Sequence, residues 1–196
     1  MTKSPETIGS PNLSNNQEIK FYEITNAPDR PPGFDFRSSQ GSVECSYGYY
    51  RDTGSDFVFE PEVLSIDEVD AYDQHQNKGV GTELIASAIK KGREKGFNIG
   101  RSDIVNPFMI KLFERLRIQG VVHEIAYIRS PLERHQRMDT HTALSANTLH
   151  LSPDEAETLI RTTDSRDAST HAINNRSGTI NFSKPDEGYI DCVFTF

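Results

Sequence analysis

The segment from Asp67 to Gly96, DEVDAYDQHQNKGVGTELIASAIKKGREKG, joins an acidic, strand-like run to a long helical pattern through a glycine turn. Leu84, Ile85, Ala88 and Ile89 recur at helical spacing, and Gly96 is a natural stop. Strand and helix in direct succession predict a mixed α/β (α+β) chain. Gly79 and Gly81 permit a tight turn and close approach of the backbone. A helix start behind such a turn offers unpaired N–H groups and the positive end of the helix dipole, which suits a pyrophosphate. The expected ligand therefore carries phosphates. Neither common phosphate loop is present: GxxxxGK[ST] is absent, and Gly79-Val80-Gly81 runs on into Thr82-Glu83-Leu84 instead of completing GxGxxG.

The strand before the turn, VLSIDEVDAY, has a parity conflict. Leu64 and Ile66 share one side while Val69 and Ala71 share the other, so a strict period of two cannot keep all four on one buried face. Either a bulge lies between Ile66 and Val69, or the strand is buried on both faces. The charges of Asp67, Glu68 and Asp70 make two-sided burial uncomfortable.

Residues Met1 to about Asn16 offer almost nothing apolar and predict a mobile tail. A strand follows over Glu18 to Ile24, and the proline-rich stretch Thr25 to Ser42 reads as an irregular loop. VECSYGYYR and DFVFE flank DTGS as an antiparallel hairpin, with a turn at Pro61. Phe97 to Val105 is a further strand. Asn106 can cap the next helix and Pro107 suits its first position. In PFMIKLFERLR, the residues Met109, Leu112, Phe113 and Leu116 form one apolar stripe. Val121 to Ile128 reads as a strand. Beyond residue 128 the pattern is weaker, although Ser152 with Glu155 is a capping box opening a short helix. GTINF and GYIDCVFTF around SKPDE suggest a C-terminal hairpin. Residues 17–128 thus form the core, while 129–196 either complete its sheet around an insertion or add an interaction region.

Composition narrows the functional classes. With 196 residues, 35 % hydrophobic and 26 % charged, the chain can bury one core. A net charge of −8 argues against nucleic acid as partner and favours a neutral or cationic substrate. No apolar run approaches the ~20 residues of a membrane span, and the opening residues lack the apolar centre of a secretory signal. No membrane association and a cytoplasmic setting are expected. Cys45 and Cys192 form no CxxC pair, and the six histidines show no HxxxH or HExxH arrangement, so no metal site is expected.

QNKGVGTELI resembles the coenzyme A pyrophosphate loop of the GNAT superfamily of N-acetyltransferases, Gln/Arg-x-x-Gly-x-Gly/Ala between a strand and a helix. Gln76, Gly79 and Gly81 match it. The succeeding order of helix, strand, asparagine and short helix is also similar, and LFERL resembles the family's LYEKL. This resemblance implies a mostly antiparallel twisted sheet with flanking helices, acetyl-CoA as co-substrate, and an amine acceptor: a protein lysine, a protein N-terminus or a small cationic amine. It assigns the CoA phosphates to Gln76, Asn77, Lys78, Gly79, Val80, Gly81 and Thr82, and the pantetheine arm to Asn106. Backbone groups near Val69 and Ala71 face the thioester. An acid on the same strand serves as base, Asp67 first, with Glu68 or Asp70 promoted by a bulge. Three features depart from the family. Phe113 stands where a tyrosine commonly protonates the leaving thiolate, Arg117-Ile118 replaces the usual Gly-Phe, and Thr25 to Ser42 is too short for two substrate-facing helices. A domain that binds CoA without catalysis, or an interaction protein with a merely structural glycine turn, are the alternatives.

Overall fold

The computed structural model describes residues 6–7, 18–25, 32–52, 56–71, 78–129, 137–162 and 190–196. Their strands are β1 (Glu6–Thr7), β2 (Lys20–Ile24), β3 (Gly33–Ser38), β4 (Gly41–Asp52), β5 (Phe57–Ala71), β6 (Ile99–Ile104), β7 (Glu124–Arg129), β8 (His150–Leu151) and β9 (Ile190–Thr195). Helices α1 (Val80–Glu94), α2 (Pro107–Ile118) and α3 (Thr140–Ser145) are joined by α4 (153–162). The strands form one sheet in the order β1-β2-β3-β4-β5-β6-β9-β7-β8. All described neighbours run antiparallel except β5 and β6, which α1 connects as a parallel pair.

Two cores sandwich this sheet. On one side, Leu84, Ile85, Ala88 and Ile89 of α1, Ile110, Phe113 and Leu116 of α2, and Ala156 and Ile160 of α4 meet Leu64, Ile66, Cys192 and Phe194. On the other, Val63, Ile99, Ala126, Ile128 and Val193 pack with Ala143 of α3. Each buried Val, Leu, Ile or Phe among them contributes about 1.5 to 3 kcal/mol. No helix among the described residues is long and apolar enough to cross a membrane.

Several expectations need correction. The stretch Thr25 to Ser42 is not irregular throughout: β3 lies within it, with Phe34 and Phe36 buried at a spacing of two and Ser39-Gln40 turning into β4. Pro61 does not end a strand. It sits inside β5 where the register with β4 slips between the pairs Tyr47↔Leu64 and Tyr49↔Glu60, so its missing N–H falls at an irregularity. Glu6–Thr7 form an edge strand on β2. The buried stripe of α2 is Pro107, Ile110, Phe113 and Leu116, while Met109 and Leu112 are only partly covered. GTINF lies outside the described residues, whereas Ile190–Thr195 runs between β6 and β7.

The parity conflict in β5 has a definite resolution. Val63 to Ile66 are buried in succession, so both faces are covered there. Then Ile66 pairs with Cys45 and Glu68 with Glu44, leaving Asp67 as the extra residue of a bulge. The bulge returns Val69 and Ala71 to the core of Leu64 and Ile66.

Candidate active site

β5 and β6 pair only over Val63–Ser65 and Ile99–Arg101. The Ser102 hydroxyl makes a last tie by donating to the Ile66 carbonyl at 3.1 Å. Beyond it the strands part, while β4 continues to pair with β5 as far as Ala71. From Asp67 onward, the β6-facing edge of β5 therefore has no strand partner among the described residues.

A cavity of ≈ 470 Å³ occupies this wedge. Val69, Asp70 and Ala71 form its floor, Gly79 to Thr82 one wall, and Asn106, Phe108, Met109, Lys111, Leu112 and Arg115 the other. Gly79 is the N-cap of α1 at φ 88°, a left-handed conformation that favours glycine, and it provides no side-chain cap. The first helical bond to its carbonyl comes from Glu83 N–H, so the amides of Val80, Gly81 and Thr82, three residues that line the cavity, lack helical acceptors. At Gly81 a Cβ would lie 3.0 Å from Leu112 Cδ1 and 3.8 Å from Val69 Cγ1, so glycine lets α1 begin close to both α2 and β5. Asn106 caps α2 by accepting the Phe108 N–H at 2.9 Å, which leaves its amide NH₂ available.

Of the acids of β5, Asp67 and Glu68 do not line this cavity, whereas Asp70 does. Asp67 accepts the Ser65 hydroxyl on Oδ1 at 2.6 Å and the Ser46 hydroxyl on Oδ2 at 2.5 Å. Ser65 shares its parity with Val63 of the α3-side core, which puts the Asp67 carboxylate on that face. Glu68 is opposite Glu44, and Asp70 opposite Ser42, on alternate positions from the paired Val43 and Val69 of the other core. All three acids thus share one face. Asp70 also borders the cavity at the strand edge.

Beside Asp67 the same face carries a buried polar layer that the sequence reading missed. Arg101, fully buried, donates to Asp191 Oδ2 at 3.0 Å, Met138 O at 3.0 Å and Thr140 Oγ1 at 3.3 Å, and lies 4.4 Å from the centroid of the Tyr49 ring. Arg137 donates to both oxygens of Asp103 at 3.1 and 3.0 Å and to the Tyr49 hydroxyl at 2.8 Å. Burial pushes the Asp191 carboxyl above its ordinary value, against the opposing pull of Arg101. Burial likewise raises the Cys45 and Cys192 thiols, which stay protonated and inert.

Of the residues expected at the site, Val69, Asp70, Ala71, Gly79, Val80, Gly81, Thr82 and Asn106 come together at the cavity. Gln76 and Asn77 lie outside the described residues, and Lys78 is exposed and does not line it. Phe113 is a correction: it is fully buried with its ring centroid 5.0 Å from that of Phe194, because it lies on the sheet-facing side of α2. The α2 wall of Phe108, Met109, Leu112 and Arg115 was missed as such, although Met109, Leu112 and Arg115 recur every three residues beside the core stripe.

No protein-family model and no curated protein matches the sequence. Solved structures do. The chain is similar to a Bacillus subtilis acetyltransferase in complex with CoA, at 10 % identity over 91 % of this chain and 99 % of that one, with a TM-score of 0.41. It is also similar to an IAA acetyltransferase from Bacillus cereus, at 11 % identity over 84 % and 78 % of the two chains and a TM-score of 0.40. A nourseothricin acetyltransferase matches at 22 % identity over 47 % and 52 %, with a TM-score of 0.33. The bulged strand, glycine-started helix, parallel strand and asparagine-capped helix follow in that order within a mostly antiparallel sheet.

Proposed function

We propose that the chain is an N-acetyltransferase that passes an acetyl group from acetyl-CoA directly to a cationic amine. The observation that carries this reading is the parting of β5 from β6 opposite a glycine-started helix. In it, the free amides of Val80, Gly81 and Thr82 take the pyrophosphate. The pantetheine arm runs past Asn106 along the open edge of β5, and the thioester reaches the wedge. The amine arrives from the face of Asp67. The carboxylate of Asp67, oriented by the Ser46 and Ser65 hydroxyls, receives the proton of the ammonium. The free amine attacks the thioester carbon, backbone N–H groups of β5 stabilise the oxyanion, and the C–S bond breaks. With a thiol pKa of ~8.5, the departing thiolate can be protonated from water or by the product nitrogen.

Asp67→Asn is expected to lower turnover about a hundredfold while leaving acetyl-CoA affinity within about twofold. The assay is thiol release with spermidine and with a lysine-containing peptide, paired with calorimetric titration of acetyl-CoA. Unchanged turnover in Asp67→Asn, Glu68→Gln and Asp70→Asn would remove these acids from proton transfer. A second reading, a domain that binds CoA without catalysis, is favoured by the burial of Phe113, which leaves no side chain at that position facing the cavity. Tight acetyl-CoA binding with no thiol release from any acceptor would select it.

A further inference from the structure

We propose that Arg115 recognises the 3′-phosphate of the CoA nucleotide and so makes the site select CoA over its dephospho form. This rests on acetyl-CoA occupying the wedge. The starting observation is a charge without a counter-charge. Helix α2 has three cations, and two of them are engaged: Lys111 pairs with Glu157 at 3.3 Å, and Arg117 with Glu114 at 2.7 Å. Arg115 lines the cavity, is exposed, and has no side-chain partner among the described residues. Its place in the last turn of α2 complements the helix dipole, but that needs no orientation toward the cavity.

Position along the wall distinguishes which anion it meets. Asn106 caps the N-terminus of α2 and lines the same cavity as Val69. The Leu112 tip lies against Gly81, at the amides that suit a pyrophosphate. Arg115 is one helical turn further out, roughly 4.5 Å beyond Leu112 along the axis. A ligand with its thioester inside and its pyrophosphate at Gly81 has its nucleotide at this outer end. The remaining anionic group of CoA is the ribose 3′-phosphate, and a guanidinium fork matches phosphate oxygens. Lys111 also lines the cavity, but its ammonium is engaged with Glu157 at 3.3 Å, whereas Arg115 has no such partner among the described residues.

The test is calorimetric titration of acetyl-CoA and acetyl-dephospho-CoA into wild type, Arg115→Gln and Arg115→Lys, in low and high salt. Wild type is expected to prefer acetyl-CoA by about tenfold in low salt, with the preference shrinking in high salt. Arg115→Gln is expected to lose that preference while binding the dephospho form as wild type does, and Arg115→Lys to retain part of it. A preference that survives in Arg115→Gln, or no preference in wild type, would overturn the assignment while leaving CoA binding intact. If wild type binds neither ligand, the CoA reading falls and the assignment with it. Matching thermal unfolding of the three proteins would confirm that the exposed substitution left the fold unchanged.

Discussion

The two faces of the sheet meet at the bulge of β5 and are built by opposite means. On the helix side, an open cavity is bounded by glycines, backbone amides and partly covered apolar side chains. Across the strand, Asp67 is held by two serine hydroxyls on the face where the buried Arg101 and Arg137 pair with the buried Asp191 and the exposed Asp103. The first face offers helix-start amides without helical acceptors; the second engages both arginines with carboxylates, although Arg101 Nε and Arg137 Nε find no hydrogen-bond partner among the described residues. The ion layer braces the β6 side of the wedge. Arg101 and Asp103 lie on β6, so their bonds to Asp191 of β9 and to Arg137 hold that strand while β5 departs from it.

The largest expected effect comes from breaking the rigid face. Asp191→Ala leaves Arg101 buried without its carboxylate and is expected to cost about 3 to 5 kcal/mol in urea unfolding. Replacing both partners, Arg101→Met with Asp191→Leu, should recover most of that loss. A loss under about 1 kcal/mol in Asp191→Ala would mean that the layer is not what stiffens the sheet.

Next comes the open face. In Gly81→Glu the added carbon meets Leu112, and the carboxylate repels phosphate; one like-charge contact near 5 Å at an effective dielectric of 20 costs about 3 kcal/mol, roughly a hundredfold in acetyl-CoA affinity. Gly81→Ala separates the steric part. Equal affinity in wild type and Gly81→Glu would put the ligand elsewhere.

Phe113 sharpens the comparison because the sequence points it to both regions, the apolar stripe of α2 and the tyrosine position of the resembled family. Its spacing from Asn106 resembles that of a catalytic tyrosine, yet the ring lies in the core against Phe194. Phe113→Tyr should therefore bury a hydroxyl and destabilise the protein by about 1 to 3 kcal/mol, with no gain in thiol release. Faster release at unchanged stability would show that the ring reaches the cavity.

The smallest effect concerns the cap that starts α3 on the rigid face. Asp139 accepts the Thr142 hydroxyl at 2.6 Å and its N–H at 2.9 Å, and the hydroxyl bond, foremost, lowers the Asp139 pKa. Its folded value lies below the unfolded one. The stabilisation is thus complete above the unfolded carboxylate range and is lost as pH falls through the folded value. Asp139→Ala is expected to cost about 0.5 to 1 kcal/mol at neutral pH, the difference from wild type vanishing in acid. A pH-independent difference would remove the carboxylate from the cap.

The contrast also explains what could be read without coordinates. The open face was legible because its signals are local: Gly79 and Gly81 before a periodic helix, Asn106 before Pro107, and the parity conflict that required a decision about β5. The bulge settles that conflict, yet burial of Val63 to Ile66 on both faces is real as well, and the sequence pattern could not separate the two. The rigid face was illegible because its members come from distant segments. Arg101 meets Asp191 across 90 positions, and a lone arginine in NIGRSDIV carries no sign of its partner. β3 was missed for a different reason: the prolines before it masked the alternation of Phe34 and Phe36. For Phe113 the apolar stripe pointed to the core and the spacing from Asn106 to the site, and spacing from a cap fixes a position on a helix but not which side faces the sheet.

The account stands most directly on where acetyl-CoA binds, which an amide-resolved NMR titration of the labelled protein would report. The expected result is saturable shifts concentrated at Val80, Gly81 and Thr82, at Val69 to Ala71 and at Asn106, with Arg101, Asp191 and Val193 undisturbed. Saturation without shifts at the first turn of α1, or shifts gathered on the face of the ion layer, would contradict it.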